Sequence, residues 1–194
     1  MIDNVLTILK DKLNDSVKGL KDHDGEIAVV DDIAKHDDDT AGLGNKVVIT
    51  LLSVEEESTM KNSSWYNKTK ISDTPLQYDM KKENPPAYLN LYVMIAANRT
   101  RYSNALINIS KVIEIFQTNN VLGYTDSTTP ANSFNFRIEL HTIPFEQLSY
   151  IWGLLGGKVM PSALYKISVI KIAATDPINV ELIDEVNIKS IKVN

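Results

Sequence analysis

The chain of 194 residues has no cysteine. Disulfide staples and thiolate metal sites are therefore excluded, and a reducing compartment suits it. It also lacks a surplus of positive charge: 20 Lys and Arg stand against 25 Asp and Glu, a net charge of −5. A nucleic-acid binder needs a basic patch to displace phosphate counterions, so that class is set aside. No apolar run is long enough for a bilayer-spanning helix, so membrane insertion is not expected. The first residues form an amphipathic pattern containing Asp3, Lys10 and Asp11 rather than a secretory signal, which predicts synthesis and assembly in the cytoplasm. Without a signal, the N-x-S/T triplets at Asn62, Asn67, Asn98 and Asn108 carry no weight as glycosylation sites. With only 8 Gly and 7 Pro there is no low-complexity tract, and no internal repeat is present.

What is present is enough apolar material, 43% of residues, for the core of one domain. Ile2 to Leu20 carries Val5, Leu6, Leu9, Leu13, Val17 and Leu20 at helical spacing. Glu26 to Asp31 holds a short strand. After a charged, glycine-punctuated loop, Lys46 to Glu56 reads as a strand with a nearly continuous apolar core, as a central position requires. Residues 57–84 are a polar excursion, longer than an ordinary connection. It is expected either to be disordered or to hold an exposed hairpin. Ala87 to Ala97 is the next strand. Tyr102 to Thr118 is a helix, with Ala105, Leu106, Ile109, Val112, Ile113 and Phe116 expected inward. A Ser/Thr/Asn/Gly-rich loop follows from Asn119 to Ser133. Phe134 to His141 is a strand with Phe134, Phe136, Ile138 and Leu140 on one face.

The densest information lies between Pro144 and Ile172. Phe145, Leu148, Ile151, Trp152 and Leu155 make one apolar helical face. Gly156-Gly157 supplies a left-handed stop, and Met160-Pro161 blocks continuation. From Ala163 the period changes to two, a strand through Leu164, Ile167, Val169 and Ile170. The order α-β-β-β-α-β-α-β predicts an α+β class: a single mixed sheet with about three packed helices. Residues 1–175 form the domain, and residues 176–194 a strand-like arm. In that arm Ile178, Val180 and Leu182 alternate with polar residues, as do Val186 and Ile188, then Ile191 and Val193. The arm either packs as a hairpin on its own domain or is lent to a neighbouring subunit or another protein by β-augmentation.

Most candidate chemistry dissolves on inspection. His36-Asp37-Asp38-Asp39 is the one dense run of possible metal ligands, but consecutive residues rarely converge on one ion, and a solvated acidic loop is the expectation. His23 lies in a turn. His141 ends a strand with no nucleophile or acid signalled nearby, so no catalytic residue, metal or cofactor is assigned. Gly42-Leu43-Gly44-Asn45 precedes a strand and lacks a phosphate-loop lysine. Glu55, Glu56 and Glu57 close a strand, as a solvated end or a dock for a basic partner. Trp65-Tyr66 is two adjacent aromatics in a hydrophilic loop, folded back on the domain or reserved for a partner. The candidate contacts are therefore Glu55, Glu56, Glu57, Trp65, Tyr66, Ile178, Val180 and Leu182.

Four segments in order carry a family resemblance: MIDNVLTILKDKLN from Met1, NKVVITLLSVEEE from Asn45, NPPAYLNLYVMIAAN from Asn84 with the helix after it, and FEQLSYIWGLLGGKVMPSALYK from Phe145. Together they resemble the cap, or tail-terminator, proteins of phage-tail-like contractile injection systems of the anti-feeding-prophage and virulence-cassette type. The resemblance implies the tail-terminator fold and a structural, non-enzymatic function. It implies a homohexameric ring that closes the distal end of the inner tube and the sheath, sets their length and couples them. The implied partners are the chain itself, the inner tube protein and the sheath protein, in a particle either released or membrane-attached. The alternatives are a baseplate or tube-initiating component of the same particle, a small hydrolase using His141, or a small-ligand binding module.

Overall fold

The computed structural model describes residues 1–15, 17–20, 27–60, 66–73, 76–82, 84, 86–126, 128, 133–172 and 178–180. The chain divides into two compact units, residues 1–56 with 89–170, and residues 57–88 with 171–194.

The first unit is built on a six-stranded mixed sheet in the order β1-β2-β5-β8-β7-β6. Its strands are β1 (Ala28–Val30), β2 (Lys46–Glu56), β5 (Ala87–Asn98), β6 (Val121–Tyr124), β7 (Phe134–Leu140) and β8 (Ser162–Ile172). β1 runs parallel to β2, whereas β2–β5, β6–β7 and β7–β8 are antiparallel. Three helices cover the sheet: α1 (Ile2–Leu13), α2 (Tyr102–Thr118) and α3 (Phe145–Leu154). The α+β class and the mixed sheet with three helices are as the sequence predicts.

Alternation along the central strands explains their near-continuous apolar runs. Val47 and Ile49 of β2, with Val93 and Ile95 of β5, join Val5, Leu9 and Leu13 of α1 and Val112 and Phe116 of α2 in one core. Val48, Met94 and Ala96 point the other way and join Trp152 of α3, with Ile33, Leu43 and Met160. A sheet covered on both faces has no polar side to its central strands.

The structure corrects three details. Helix α1 stops at Leu13 rather than Leu20, and Val17 is 71% exposed. Asn14 and Asp15 offer side-chain hydrogen bonds that compete with the helical pattern. The Asp15 carboxylate accepts from the Val17 and Lys18 amides, at 2.8 and 2.9 Å. Bonds from the Lys18 and then the Val17 N–H hold that carboxyl below its ordinary range. Helix α2 is rotated from the expected face. Ala105, Asn108, Val112, Ile115 and Phe116 are buried, whereas Leu106 and Ile113 are exposed. Asn108 takes an inward position that an apolar pattern assigns to others. Finally, the loop expected over Asn119–Ser133 contains β6, whose Leu122 pairs with Phe136.

The second unit holds a separate three-stranded antiparallel sheet, β3 (Tyr66–Asp73), β4 (Leu76–Lys82) and β9 (Ile178–Val180), in the order β3-β4-β9. Of the two expectations for the polar excursion, a hairpin forms, β3 with β4. Ile178 is in register with Lys82 and Val180 with Met80. The sequence predicted one sheet because the strand partners of this hairpin lie about a hundred residues away, beyond the reach of local pattern.

Candidate assembly surface

Helix α3 is held by one fully buried side chain, Trp152. It ends in a Schellman-type turn: the Gly157 N–H donates to the Trp152 carbonyl at 2.8 Å, and Gly156 and Gly157 have φ of 100° and 79°. The glycine stop is as the sequence predicts. Phe145, expected inward, is 83% exposed. It is the first helical residue, and helical Cα–Cβ bonds tilt towards the N-terminus, so its side chain points back past the start of the helix. Tyr150 at 75%, Leu154 at 86% and Val159 at 71% are exposed as well. On α2, Tyr102, Leu106, Ile107 and Ile113 face outward.

A groove of about 550 Å³ runs along β2, lined by Leu51, Leu52, Ile151, Leu154 and Leu155, with Asp31 and Asp32 at its polar side. It exists because β1 is short. Strand β1 pairs only with Val47–Ile49, and its last backbone bond is from the Asp31 N–H to the Ile49 carbonyl. The buried Thr50 hydroxyl then turns the chain away: it donates to the Asp31 carbonyl at 2.7 Å and accepts from the Ile33 N–H at 3.0 Å. Among the described residues no strand pairs with that side of β2 beyond Ile49. The other side of β2 is paired with β5 throughout, with a bulge between Leu51 and Ser53. The groove was missed in the sequence, although one signal was there. A four-residue apolar run ending in Asp31-Asp32 is too short to cover an eleven-residue partner.

The predicted contact residues fall in different places. Glu55 and Glu56 are exposed at the end of β2. Glu57 is half-buried, and its carboxylate accepts from the Thr59 hydroxyl at 2.7 Å, anchoring a turn at Ser58–Met60. Tyr66 opens β3 and is 49% exposed. Trp65 and Leu182 lie outside the described residues, as does His23. Ile178 and Val180 are the ends of β9.

The acidic loop is only partly solvated. Asp37 and Asp38 are exposed, but the His36 ring is buried next to the glycine turn that follows α3. A Cβ built on Gly156 would come within 3.1 Å of its Cε1. His36 Nδ1 lies 3.0 Å from the Ile33 carbonyl, which accepts its proton, and Nε2 is 3.1 Å from Asp37 Oδ2 without hydrogen-bond alignment. Asp38 caps a short turn through Thr40, whose hydroxyl and amide hold that carboxyl below its usual range. Among the described residues no three potential metal ligands gather. His141 is half-buried with its ring edge-on to Tyr92, centroids 5.0 Å apart. Its backbone N–H donates to the Leu164 carbonyl, a strand-end role. Among the described residues no helix is long and apolar enough to cross a membrane.

Residues 4–184 match the family described as the Pvc16 N-terminal domain. Two solved structures are similar. One is the sheath/tube terminator of the PVC extracellular contractile injection system in its extended state, with 11% identity and a TM-score of 0.58, covering 100% of this chain and 64% of that one. The other is the tube-terminating cap of the anti-feeding prophage, with 10% identity and a TM-score of 0.54, covering 97% of this chain and 60% of that one. The chain thus spans under two thirds of the length of either, and at such identities the likeness speaks for the fold. No curated protein matches the chain.

Proposed function

The chain belongs to the Pvc16 N-terminal domain family, and from that premise we propose that it is a structural cap of a contractile injection particle. Copies of the chain close into a six-membered ring on the distal end of the inner tube and the sheath. The ring stops polymerisation at a set length and couples sheath to tube, and no bond is made or broken. Synthesis and assembly take place in the cytoplasm. The observation that carries this reading is the family match over residues 4–184. It is supported by the exposed apolar side chains of α2 and α3, because a closed ring needs two different complementary patches on each subunit.

The experiment is tube assembly followed by electron microscopy, with sub-stoichiometric amounts of this protein. Rings at tube ends and arrested elongation are expected. Tubes that grow to the same lengths with bare ends overturn the reading. Faster nucleation with unarrested growth instead indicates a tube-initiating component.

We place Trp65 and Tyr66 in contact with the tube or the sheath. Replacing both with Ser is expected to weaken capture of tube ends while leaving the thermal transition within a degree or two, as for substitutions that reach no core contact, about 0.5 kcal/mol or less. An equally large loss of stability assigns the pair to packing within the chain.

A further inference from the structure

We propose that α3 of one copy of this chain packs alongside α2 of the next copy, the two helices parallel, with Ile107 seated over Gly153. Four observations converge on that arrangement.

The first is Gly153 itself. Its φ is not positive, unlike those of Gly156 and Gly157, and a Cβ built on it would meet nothing within 4 Å. Neither backbone conformation nor packing within its own chain asks for glycine there, and glycine inside a helix is destabilising relative to alanine. What it provides is bare backbone that another element can approach closely. Glu146, Tyr150, Gly153 and Leu154 follow at i, i+4, i+7 and i+8, so the gap lies on the outward face of α3, away from buried Trp152. The second is relief. Leu154 stands out beside the gap at 86% exposed. On α2, Ile107 is 65% exposed and borders a recess of about 360 Å³ lined by Val17, Leu20, Asn108 and Lys111 among others. Ile107 fills the gap while Leu154 enters the recess, the ridge-into-groove fit of packed helices.

The third is placement. α2 packs through Ala105, Val112 and Phe116 in the core on one face of the sheet, and α3 through Trp152 in the core on the other. Their outward sides therefore look away from each other, and only two copies can bring them together. A contact between unlike faces is head to tail, the kind that closes a ring. The fourth is charge. In this register Arg101 comes level with Glu146 and Gln147. Arg101 and Glu146 are both exposed, and neither has an ion-pair partner among the described residues. The antiparallel arrangement would set Arg101 beside Lys158, like charge against like. This interface rests on the ring reading in one respect, that each subunit has a neighbour on either side.

The absence of cysteine makes the test direct. Ser103 and Ser149 are exposed and lie one helical turn before Ile107 and Gly153, so they meet across this interface. Full-length Ser103→Cys and Ser149→Cys preparations are mixed and oxidised mildly, with and without assembled tubes. A disulfide forms only when Cα atoms approach within about 7 Å. A heterodimer is expected in at least one of the two conditions, and a chain carrying both substitutions should give a ladder of multimers. Ser110→Cys, about two turns further along α2, is the control in place of Ser103→Cys and should give none. No heterodimer in either condition, homodimers of one variant alone in equal yield, or a stronger crosslink from Ser110→Cys overturns the proposal. Gly153→Gln gives a second reading. It meets nothing in its own chain, so the thermal transition should hold or rise. Added to Ser149→Cys it should cut the crosslink about tenfold or more, the effect of overpacking a close contact. A crosslink undiminished by the glutamine also overturns the proposal. Arg101→Glu should weaken the crosslink, and Glu146→Arg in the other chain should restore it. Tube-end capping is read separately. Capping that persists without the crosslink sinks this interface alone, and a crosslinked ladder without capping sinks the cap alone.

Discussion

Replacing Trp152 with alanine is expected to lower the unfolding free energy by about 3–5 kcal/mol, the range for truncating a buried large aromatic. Trp152 is 2% exposed and the only fully buried residue of α3. It joins Val48, Met94 and Ala96 on the sheet face away from α1 and α2. The remaining contacts of α3 come from half-buried Leu148, Ile151 and Leu155. Ten residues are too few to hold a helix by propensity, so α3 stays only where its anchor holds it. The loss should therefore be larger than cavity formation at a site with several anchors, and it should loosen the far wall of the groove on β2. The measurement is chemical denaturation followed by circular dichroism, since the substitution removes one of the chain's two tryptophans and leaves fluorescence to Trp65 alone. A chain of this size loses about 2–4 °C of melting temperature per kcal/mol. A change under about 1 kcal/mol would mean that α3 is held by other contacts. Trp152→Phe should fall between, because it keeps most of the volume.

The same block shows what was legible in the sequence and why. Trp152, the glycine stop and the strand from Ser162 were readable because each rule there is local: a period, a left-handed turn, a change of period. The central strands β2 and β5 were readable for the same reason. What failed was placement set by distant partners. Phe145 and Leu106 satisfy an apolar pattern but face solvent, and Asn108 breaks it but is buried. β6 is four residues among Gly, Ser and Thr and exists as a strand because β7 pairs with it. The groove on β2 depends on where β1 ends, and that is decided by a hydroxyl nineteen residues away from the carbonyl it binds. Of the contact residues, Glu55, Glu56 and Tyr66 are exposed, and Glu57 has a local structural bond to Thr59.

Asn14→Leu is expected to be the second large loss, and it acts without any core side chain being removed. Asn14 ends α1, and its amide bridges to β1 by three bonds. Oδ1 accepts from the Ile27 N–H at 3.1 Å and the Ala28 N–H at 2.9 Å, and Nδ2 donates to the Ala28 carbonyl at 2.8 Å. Ile27 is 3% exposed and Ala28 fully buried, so water cannot take the place of the lost groups. Each buried donor left unpaired costs about 1–3 kcal/mol, and two are stranded at once. Leucine matches asparagine in size, so the loss reports hydrogen bonding rather than volume. Asn14→Asp separates the terms: a carboxylate still accepts from both amides but faces the Ala28 carbonyl without a donor, and a smaller loss follows. Hydrogen exchange at Ile27 and Ala28 reads the effect locally, with faster exchange expected in the leucine variant than in the aspartate one. If leucine and aspartate destabilise alike, the two amides are not what Asn14 holds. Because β1 is positioned by this bridge, its release would also unpair Val47–Ile49 on that side of β2. The leucine variant should then self-associate more readily, while unfolding at a lower denaturant concentration.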